Sequence, residues 1–277
     1  MIDKKLLQRR FSRNSRTYDK YANVQKIMAK ELIKTIDKEK NDKEINILEI
    51  GCGTGYLTKQ LCMIFPNAKI TAVDLAPGMI EVAKEKLKGM SVTFLCGDIE
   101  EISLKGNYDI IVSNATFQWV NDFEEVIKRL LLFLREDGIL TFSTFGNRTF
   151  QELHNSYNQV KEQLGHCSIR PLGQSFFSFE TLYQFCETSL LFTFLANFDI
   201  KGKQMIEYEY FPSVRDFLTS IKKIGASNSN QENVYLPPTF FKELIRFYEK
   251  NYREVKGVRA TYHCMYISIH YVRTEDQ

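Results

Sequence analysis

The sequence lacks long apolar runs, metal-binding cysteine patterns and a strong net charge. No apolar run approaches the ~18 residues that span a membrane, and the N-terminus has no apolar stretch of the kind found in secretory signals. The six cysteines form no C-x-x-C pair, and no histidine near them completes a zinc pattern. A net charge of +3 is too small to indicate a nucleic-acid partner. We therefore expect a cytoplasmic protein with reduced thiols and with no metal, membrane or nucleic-acid partner.

The length and composition are those of a globular protein. The chain has 277 residues, of which 44% are hydrophobic and 26% charged, which excludes wholesale disorder and allows one large or two small domains. The charge is unevenly placed, because residues 1–26 hold eight Lys or Arg against two Asp, while the rest of the chain is slightly acidic. This basic arm is open to two interpretations: a solvated amphipathic helix, or a segment with a function.

Residues 40–146 show strands and helices in regular alternation. Each strand is nearly continuous in Val, Ile and Leu, which is typical of parallel strands covered on both faces. The pattern predicts an open, doubly wound α/β unit with right-handed connections. The predicted strands are 45–50, 69–74, 91–96, 108–113 and 139–145, and the predicted helices are 56–65, 79–88 and 123–135, the last capped by Asp122.

Beyond residue 146 the pattern predicts further helices and two late strands. Helical spacing covers 150–164, 179–189 (after a Ser178 cap), 214–224 and 238–251, and alternation indicates strands at 197–211 and 259–271. Two late strands separated by helical segments favour additions to the same sheet over a second independent domain.

The most informative motif follows the first predicted strand. Gly51, Gly53 and Gly55 stand at alternate positions where this strand gives way to a helix. Glycines there let the backbone turn sharply and let a ligand lie against it. A dinucleotide fingerprint has the spacing G-x-G-x-x-G, one residue longer, and no P-loop lysine follows. The motif therefore disfavours a pyrophosphate ligand.

Two aspartates follow the next two predicted strands. Asp74 ends the second strand, where it can accept hydrogen bonds from both hydroxyls of a ribose. Asp98 ends the third strand, where it can meet an adenine amino group, with Ile99 beside the ring. The alternative is that each aspartate merely caps a helix. The glycines and both acids fall at the carboxyl ends of consecutive strands, where open α/β sheets bind ligands.

These residues resemble the motifs of class I S-adenosylmethionine-dependent methyltransferases, which carry an acid and GxGxG after the first strand, an acid after the second and Gly-Asp after the third. The resemblance implies S-adenosylmethionine as cofactor and S-adenosylhomocysteine as product. It also implies a Rossmann-like, doubly wound sheet of seven strands, mostly parallel, whose last strand is antiparallel. By position, the implied cofactor residues are Glu49, Gly51, Cys52, Gly53 and Gly55 for the methionine part, Asp74 for the ribose, Leu75 and Met79 for the adenine faces, Asp98 and Ile99 for its edge, and Asn114 near the transferred methyl.

Longer segments are similar to the malonyl-[acyl-carrier protein] O-methyltransferases of biotin synthesis. They are 11–25, 113–119, 142–145, 152–154, 220–226 and 261–263, with Phe117 as a departure where many relatives carry Leu. This resemblance implies methylation of the free carboxylate of a malonyl thioester on acyl-carrier protein or coenzyme A, so that fatty-acid elongation enzymes accept the masked acyl end as a primer. It also implies one methyltransferase domain over 1–277, with a basic lid at 1–25, a cofactor-binding core at 40–146, substrate and carrier-protein insertions at 147–258, and the last strand at 259–272.

A malonyl substrate sets simple chemical requirements. A carboxylate is ionised at neutral pH and serves as its own nucleophile, so we expect positioning and desolvation and no general base. Recognition of that carboxylate needs a cation, for which the sequence offers Arg148, Arg170 and Lys222.

The resemblance also implies the walls around the substrate. Tyr18 and Tyr21 would lie on a lid over the cofactor, and Gln118 and Trp119 would line the acyl pocket. The basic arm, or Lys222 with its neighbour Lys223, could face the acidic carrier protein.

Three other functions are compatible with parts of this sequence. A methyltransferase of the same fold that acts on another small molecule, such as trans-aconitate or a quinone precursor, would carry the same cofactor residues. A catalytically silent S-adenosylmethionine-binding module is disfavoured by the intact motif. A nicotinamide dehydrogenase is disfavoured by the glycine spacing.

Overall fold

The computed structural model shows alternating strands and helices and describes residues 1–36, 43–165, 173–191, 198–226 and 237–272. The strands are β1 (Asn46–Ile50), β2 (Lys69–Asp74), β3 (Val92–Cys96), β4 (Tyr108–Asn114), β5 (Leu134–Phe145), β6 (Phe198–Phe211), β7 (Arg253–Glu254) and β8 (Gly257–Tyr271). The helices are α1 (Lys4–Tyr21), α2 (Asn23–Ile33), α3 (Tyr56–Ile64), α4 (Pro77–Lys86), α5 (Phe123–Leu131), α6 (Gln151–Gln163), α7 (Phe179–Leu191), α8 (Val214–Lys223) and α9 (Pro238–Tyr252).

The strands form a single sheet in the order β3-β2-β1-β4-β5-β8-β6. Strands β1 to β5 pair in parallel, and β8 runs antiparallel between β5 and β6. This confirms the predicted doubly wound, mostly parallel sheet of seven strands with an antiparallel last strand. The two-residue β7 adds a short eighth strand beside β8 within the described ranges. In the chain, α6 and α7 lie between β5 and β6, and α8 and α9 follow β6, as the predicted insertions require.

Alternate side chains of the parallel strands enter two separate cores. Ile47 and Ile110 belong to one apolar cluster, whereas their neighbours Leu48 and Ile111 belong to the other. The first cluster includes side chains of α2, α3, α6, α8 and α9, and the second includes those of α5 and α7. Both faces are covered by helices, which is why these strands are apolar throughout instead of alternating with polar residues.

Side-chain caps fix the start of several helices. Asp3, Asp122 and Ser213 each accept a first-turn backbone N–H, at α1, α5 and α8. Ser178 Oγ accepts the Thr181 N–H at 3.1 Å at the start of α7. The predicted caps Asp122 and Ser178 are therefore confirmed.

The boundary between α5 and β5 differs from the prediction. The helix ends at Leu131 instead of residue 135, and the strand begins at Leu134 because Leu134 pairs with Tyr108 of β4. The β4–β5 register shifts after this pair, and Asp137 takes a positive φ of 58°. The gap between the predicted helix, which ended at 135, and the predicted strand, which began at 139, is thus an irregularity inside a longer strand.

Candidate functional site

The loop after β1 adopts backbone conformations that favour glycine. Gly51, Gly53 and Gly55 have positive φ angles of 70°, 54° and 83°. A Cβ at Gly51 would lie 2.0 Å from Oγ1 of Thr116, whereas a Cβ at Gly53 would meet no atom within 4 Å. Gly55 is the N-cap residue of α3, and a Cβ there would lie 2.8 Å from Cδ1 of Leu87 at the end of α4. The loop is therefore tightly packed at its ends and open at Gly53.

Asp74 joins this loop to the end of β2. Its carboxylate accepts the backbone N–H groups of Gly53 and Ala76, each at 2.8 Å. Burial raises the pKa of Asp74 to about 6, although these two hydrogen bonds act in the opposite direction. The carboxylate does not cap α4, which begins after Ala76 without a side-chain cap, and its two oxygens retain lone pairs for further donors.

Glu49 and Cys52 lie beside a small pocket of about 40 Å³ behind the glycine loop. Burial raises the pKa of Glu49 to about 7. Within the described part of the chain, its Oε2 has no hydrogen-bond partner. A buried carboxyl oxygen without a partner, next to a pocket, is suited to accept a hydrogen bond from a ligand.

Asp98 at the end of β3 is in contact with the N-terminal helix. Nζ of Lys4 lies 3.1 Å from Asp98 Oδ2 and also contacts Glu100. Asp98 Oδ1 accepts the Glu100 N–H at 3.1 Å, which fixes the turn after the strand. Lys4 was not among the predicted site residues, because no local pattern links it to a strand far along the chain.

Helix α1 is also joined to the loops after β1 and β2. Gln8 Nε2 donates to the Leu75 carbonyl at 2.9 Å, and Thr54 Oγ1 donates to Asp19 at 2.5 Å. Tyr18 lies on the same helix, and burial raises the pKa of its phenol, which is therefore neutral. The basic arm is thus a helix packed over the strand ends and not a freely solvated one.

Asn114, the last residue of β4, is held from two sides. Its Oδ1 accepts from Ser143 Oγ at 2.7 Å, and its Nδ2 donates to the Gln25 carbonyl at 3.1 Å. It lines both the small pocket and the main cavity described next. The amide is therefore fixed where the two spaces meet.

The segment after β4 supplies an aromatic wall. Trp119 packs edge-on against Phe11 of α1, with ring centroids 5.7 Å apart. Gln118 Oε1 accepts from Thr144 Oγ1 at 2.9 Å. Both Gln118 and Trp119 line the main cavity, as predicted for an acyl pocket.

The main cavity has a volume of about 760 Å³, which is within the range of small-molecule sites. We divide its wall into two parts. The strand-end half comprises Tyr18, Gln25, Ile50, Gly51, Gly53, Val73, Asp74, Leu75, Met79, Gly97, Asp98, Ile99 and Asn114. The helical half comprises Phe145, Phe150, Leu153, His154, Arg215, Leu218, Thr219, Ile221, Lys222, Phe241 and Tyr262.

Arg148 does not line this cavity, although it was predicted to bind the substrate carboxylate. Its Nη2 lies 3.2 Å from His263 Nε2 and 3.2 Å from Gln204 Oε1. Burial, together with the Arg148 charge, lowers the pKa of His263 to about 4. Arg148 therefore contacts side chains of β6 and β8, which pair with each other, and not the cavity.

Two other predicted residues do not line the cavity, and a third lies outside the part of the chain that the structure describes. Tyr21 is half-buried at the end of α1 and is not on the cavity wall. Gly55 serves the turn into α3 and does not reach the cavity either. Arg170 lies outside the described residues.

Arg215 and His154 line the helical half but were not predicted to do so. The Arg215 guanidinium lies 5.7 Å from the centre of the Phe241 ring. Burial lowers the pKa of His154, so its imidazole is neutral at pH 7. The sequence did contain a signal for Arg215. Its spacing from Leu218 and Lys222 in one predicted helix places all three on one face.

The described ranges lack both a metal-binding cluster and a membrane-spanning helix. They bring together no group of three His, Cys, Asp or Glu that could hold a metal ion. No helix there has the length and apolar character to cross a bilayer.

Comparison with known proteins gives consistent matches. Residues 47–138 match the family described as a methyltransferase domain. A malonyl-[acyl-carrier protein] O-methyltransferase of Priestia megaterium is 52% identical over 269 residues, covering 97% of this chain and 98% of the relative. The enzyme of that name from Acetivibrio thermocellus is 46% identical over 268 residues, covering 97% and 94%.

Solved structures share the fold at low identity. The YcgJ protein from Bacillus subtilis has a TM-score of 0.58 and 14% identity, covering 89% of this chain and 98% of its own. At this identity the likeness concerns the fold alone. The sequence relatives, in contrast, match over 97% of this chain. On their similarity, the chain belongs to the malonyl-[acyl-carrier protein] O-methyltransferase family of S-adenosylmethionine-dependent methyltransferases.

Proposed function

We propose that this protein transfers the methyl group of S-adenosylmethionine to the free carboxylate of a malonyl thioester on acyl-carrier protein. The observation that carries the proposal is the 52% identity to an enzyme of that name over 97% of the chain, because it includes the helical half of the cavity. Esterification removes the charge from the acyl end. Fatty-acid elongation enzymes can then accept the product as the primer for biotin synthesis.

The strand-end half fits an adenosine that carries a methionine chain. Asp74 has lone pairs available for the ribose hydroxyls, and the open side of Gly53 leaves room for a ligand against the loop. When bound, S-adenosylmethionine supplies a methyl group on a positively charged sulfur. The residues that follow the strands supply the remaining contacts. Leu75 and Met79 would flank the adenine faces, and Asp98 and Ile99 would meet its edge. The methionine part would be surrounded by Glu49, Gly51, Cys52 and Asn114.

The chain itself has to orient the substrate and exclude water. A malonyl carboxylate is already ionised at neutral pH, so neither His154 nor any other residue is needed as a base. A cation bound directly to the attacking oxygen would weaken it as a nucleophile. We therefore propose that the neutral phenol of Tyr18 contacts this carboxylate, in place of the cation expected from the sequence. Phe11 and Trp119, packed edge to face, keep water from the reacting groups.

We assign residues 1–25, which include α1, the role of a lid over the strand-end half. Lys4–Asp98 and Arg16–Glu85 are ion pairs on the surface or partly exposed, and such pairs contribute little free energy each. They can therefore break and re-form when cofactor enters and product leaves. In the same layout, residues 147–258 supply the substrate wall.

The function is tested by incubating the full chain with S-adenosylmethionine and malonyl-acyl-carrier protein. We expect the carrier protein to gain the mass of one methyl group, with formation of S-adenosylhomocysteine. Acetyl-acyl-carrier protein is the matched control, because it lacks only the free carboxylate, and it should gain nothing. Absence of the mass gain, or faster methylation of trans-aconitate or a quinone precursor, would sink the proposal.

A further inference from the structure

Helix α8 presents two cations to the helical half of the cavity. Arg215 and Lys222 both line it, and both side chains are exposed to solvent. They are two helical turns apart, which places them on one face with a separation of about 10 Å along the axis. Exposed residues that also line a cavity lie at its opening, so both cations border the mouth.

Neither cation is matched by an acid in the part of the chain that the structure describes. Arg215 has the face of Phe241 as its neighbour, 5.7 Å from the ring centre, and Lys222 has no ion pair there. Lys4, which also lines the cavity, differs because it pairs with Asp98. Two cations at the mouth, without an acidic partner among the described residues, leave this surface suited to an anion.

The wall further inside is apolar. Leu218 and Ile221 lie between the two cations on α8, and Phe150 and Tyr262 form a T-shaped pair with ring centroids 5.0 Å apart. His154 adds no charge to this wall at neutral pH, because burial lowers its pKa. A cation pair outside an apolar channel is complementary to a long, uncharged arm that ends in an anion.

We propose that Arg215 and Lys222 bind the phosphate at the far end of the 4′-phosphopantetheine arm that carries the malonyl thioester. This rests on the proposed function, because both carrier protein and coenzyme A present the malonyl group on that arm. The arm is uncharged between the thioester and the phosphate. Guanidinium and ammonium groups are the common protein donors to phosphate. The site thus anchors the arm at the mouth while the malonyl end reaches the strand-end half.

The test compares two substrates that differ only in the phosphate: malonyl-4′-phosphopantetheine and malonyl-pantetheine. Steady-state kinetics are measured for the wild type, Arg215→Gln, Lys222→Gln and the control Lys223→Gln. Lys223 is the next residue on α8, and its replacement removes the same charge from an exposed side chain that does not line the cavity. Affinity for S-adenosylhomocysteine and the melting temperature confirm that each variant is folded.

For Arg215→Gln and Lys222→Gln we expect the KM of the phosphorylated substrate to rise about tenfold, as for loss of one charge-assisted hydrogen bond. The kcat and the KM of malonyl-pantetheine should stay unchanged, and Lys223→Gln should behave as the wild type. An equal rise with both substrates, no rise with either, or the same rise in Lys223→Gln would overturn the assignment.

Malonyl-coenzyme A and malonyl-acyl-carrier protein then separate the two sources of the arm. A raised KM with both supports a phosphate site. A rise with the carrier protein alone would mean that the cations contact the protein surface, which contradicts the proposal. If the wild type turns over none of the four thioesters, the proposed function itself fails. If the wild type turns over the thioesters but the substitutions raise no KM specifically for the phosphorylated substrate, only the phosphate site is contradicted and the proposed function stands.

Discussion

The two halves of the cavity are built from different parts of the chain. In the strand-end half, the glycine loop, Asp74 and Asp98 each follow directly on a parallel strand. In the helical half, the wall comes from the end of β5 and from α6, α8, α9 and β8, which are spread over residues 145–262. A parallel sheet brings the carboxyl ends of its strands to one edge by its own hydrogen bonding. The helices have no such rule and take their places by packing against the core.

This difference separates a half of the cavity that suits a class of ligands from a half that suits one particular substrate. The strand-end half depends on backbone turns and acids that suit any ligand containing adenosine and a methionine chain. The helical half depends on the identity of individual side chains, such as Arg215, Phe241 and Tyr262. Changes in one half should therefore affect one ligand and leave the other unaffected. Helix α1, which contacts both halves, is the exception.

The largest effect is expected from deletion of residues 1–21. Turnover of malonyl-pantetheine should be lost, because α1 contributes Tyr18 and Phe11 to the wall and excludes water from the site. The shortened chain should still melt cooperatively, since Leu7 and Ser15 are the buried residues of α1. A turnover assay and a thermal melt measure the two properties.

The control for this deletion is the pair of substitutions Lys5→Gln and Arg9→Gln, at two exposed positions of α1. They remove charge but keep the helix, and turnover of malonyl-pantetheine should persist. Unchanged turnover after the deletion would contradict the role of a lid. Loss of the cooperative melt would show that α1 is part of the structural core.

An intermediate effect is expected from Asp74→Ala. The dissociation constant for S-adenosylhomocysteine should rise about tenfold or more, because a contact worth roughly 1.5–3 kcal/mol to the ribose is lost. The KM for malonyl-pantetheine at saturating cofactor should not change. Calorimetric titration and steady-state kinetics measure the two values, with the exposed Asp199→Ala as control. A change in substrate KM alone would mean that the halves are not separate as described.

At acidic pH the smallest effect is expected from Glu49→Gln, because the size of this effect depends on pH. Burial raises the pKa of Glu49 from 4.5 to about 7, so the folded state binds a proton more tightly than the unfolded state. The wild type therefore loses stability as the pH rises from 4.5 through 7, whereas the Gln variant does not. The advantage of Glu49→Gln should be near zero at pH 4.5 and reach at most about 3 kcal/mol above pH 8. Urea unfolding at several pH values checks this, and an advantage independent of pH would contradict it.

Much of the fold could be predicted because its signals are local. The apolar strands, the glycine turn and the acids after β2 and β3 are each determined by a few neighbouring residues. The prediction was wrong at the start of β5, where pairing of Leu134 with Tyr108 outweighs the helical pattern. Long-range pairing of this kind has no signature in a short window of sequence.

The substrate side was less predictable. Of the three predicted cations, Lys222 lines the cavity, Arg148 contacts His263 and Gln204 instead, and Arg170 lies outside the described residues. A charged side chain several bonds long can reach in many directions. Its position along the chain therefore says little about which group it will contact.

The sequence by itself determined the class of fold, the turn at Gly51 and Gly53, and the placing of Asp74 and Asp98 at one edge of a sheet. These features follow from the period of apolar residues and from backbone sterics, which act between near neighbours. The tertiary structure decided that α1 lies over the strand ends, that Lys4 pairs with Asp98, and that the face of α8 with Arg215 and Lys222 lines the same cavity as Asp74 and Asp98. Those contacts join residues far apart in the chain, and only the packing of helices on the sheet brings them together.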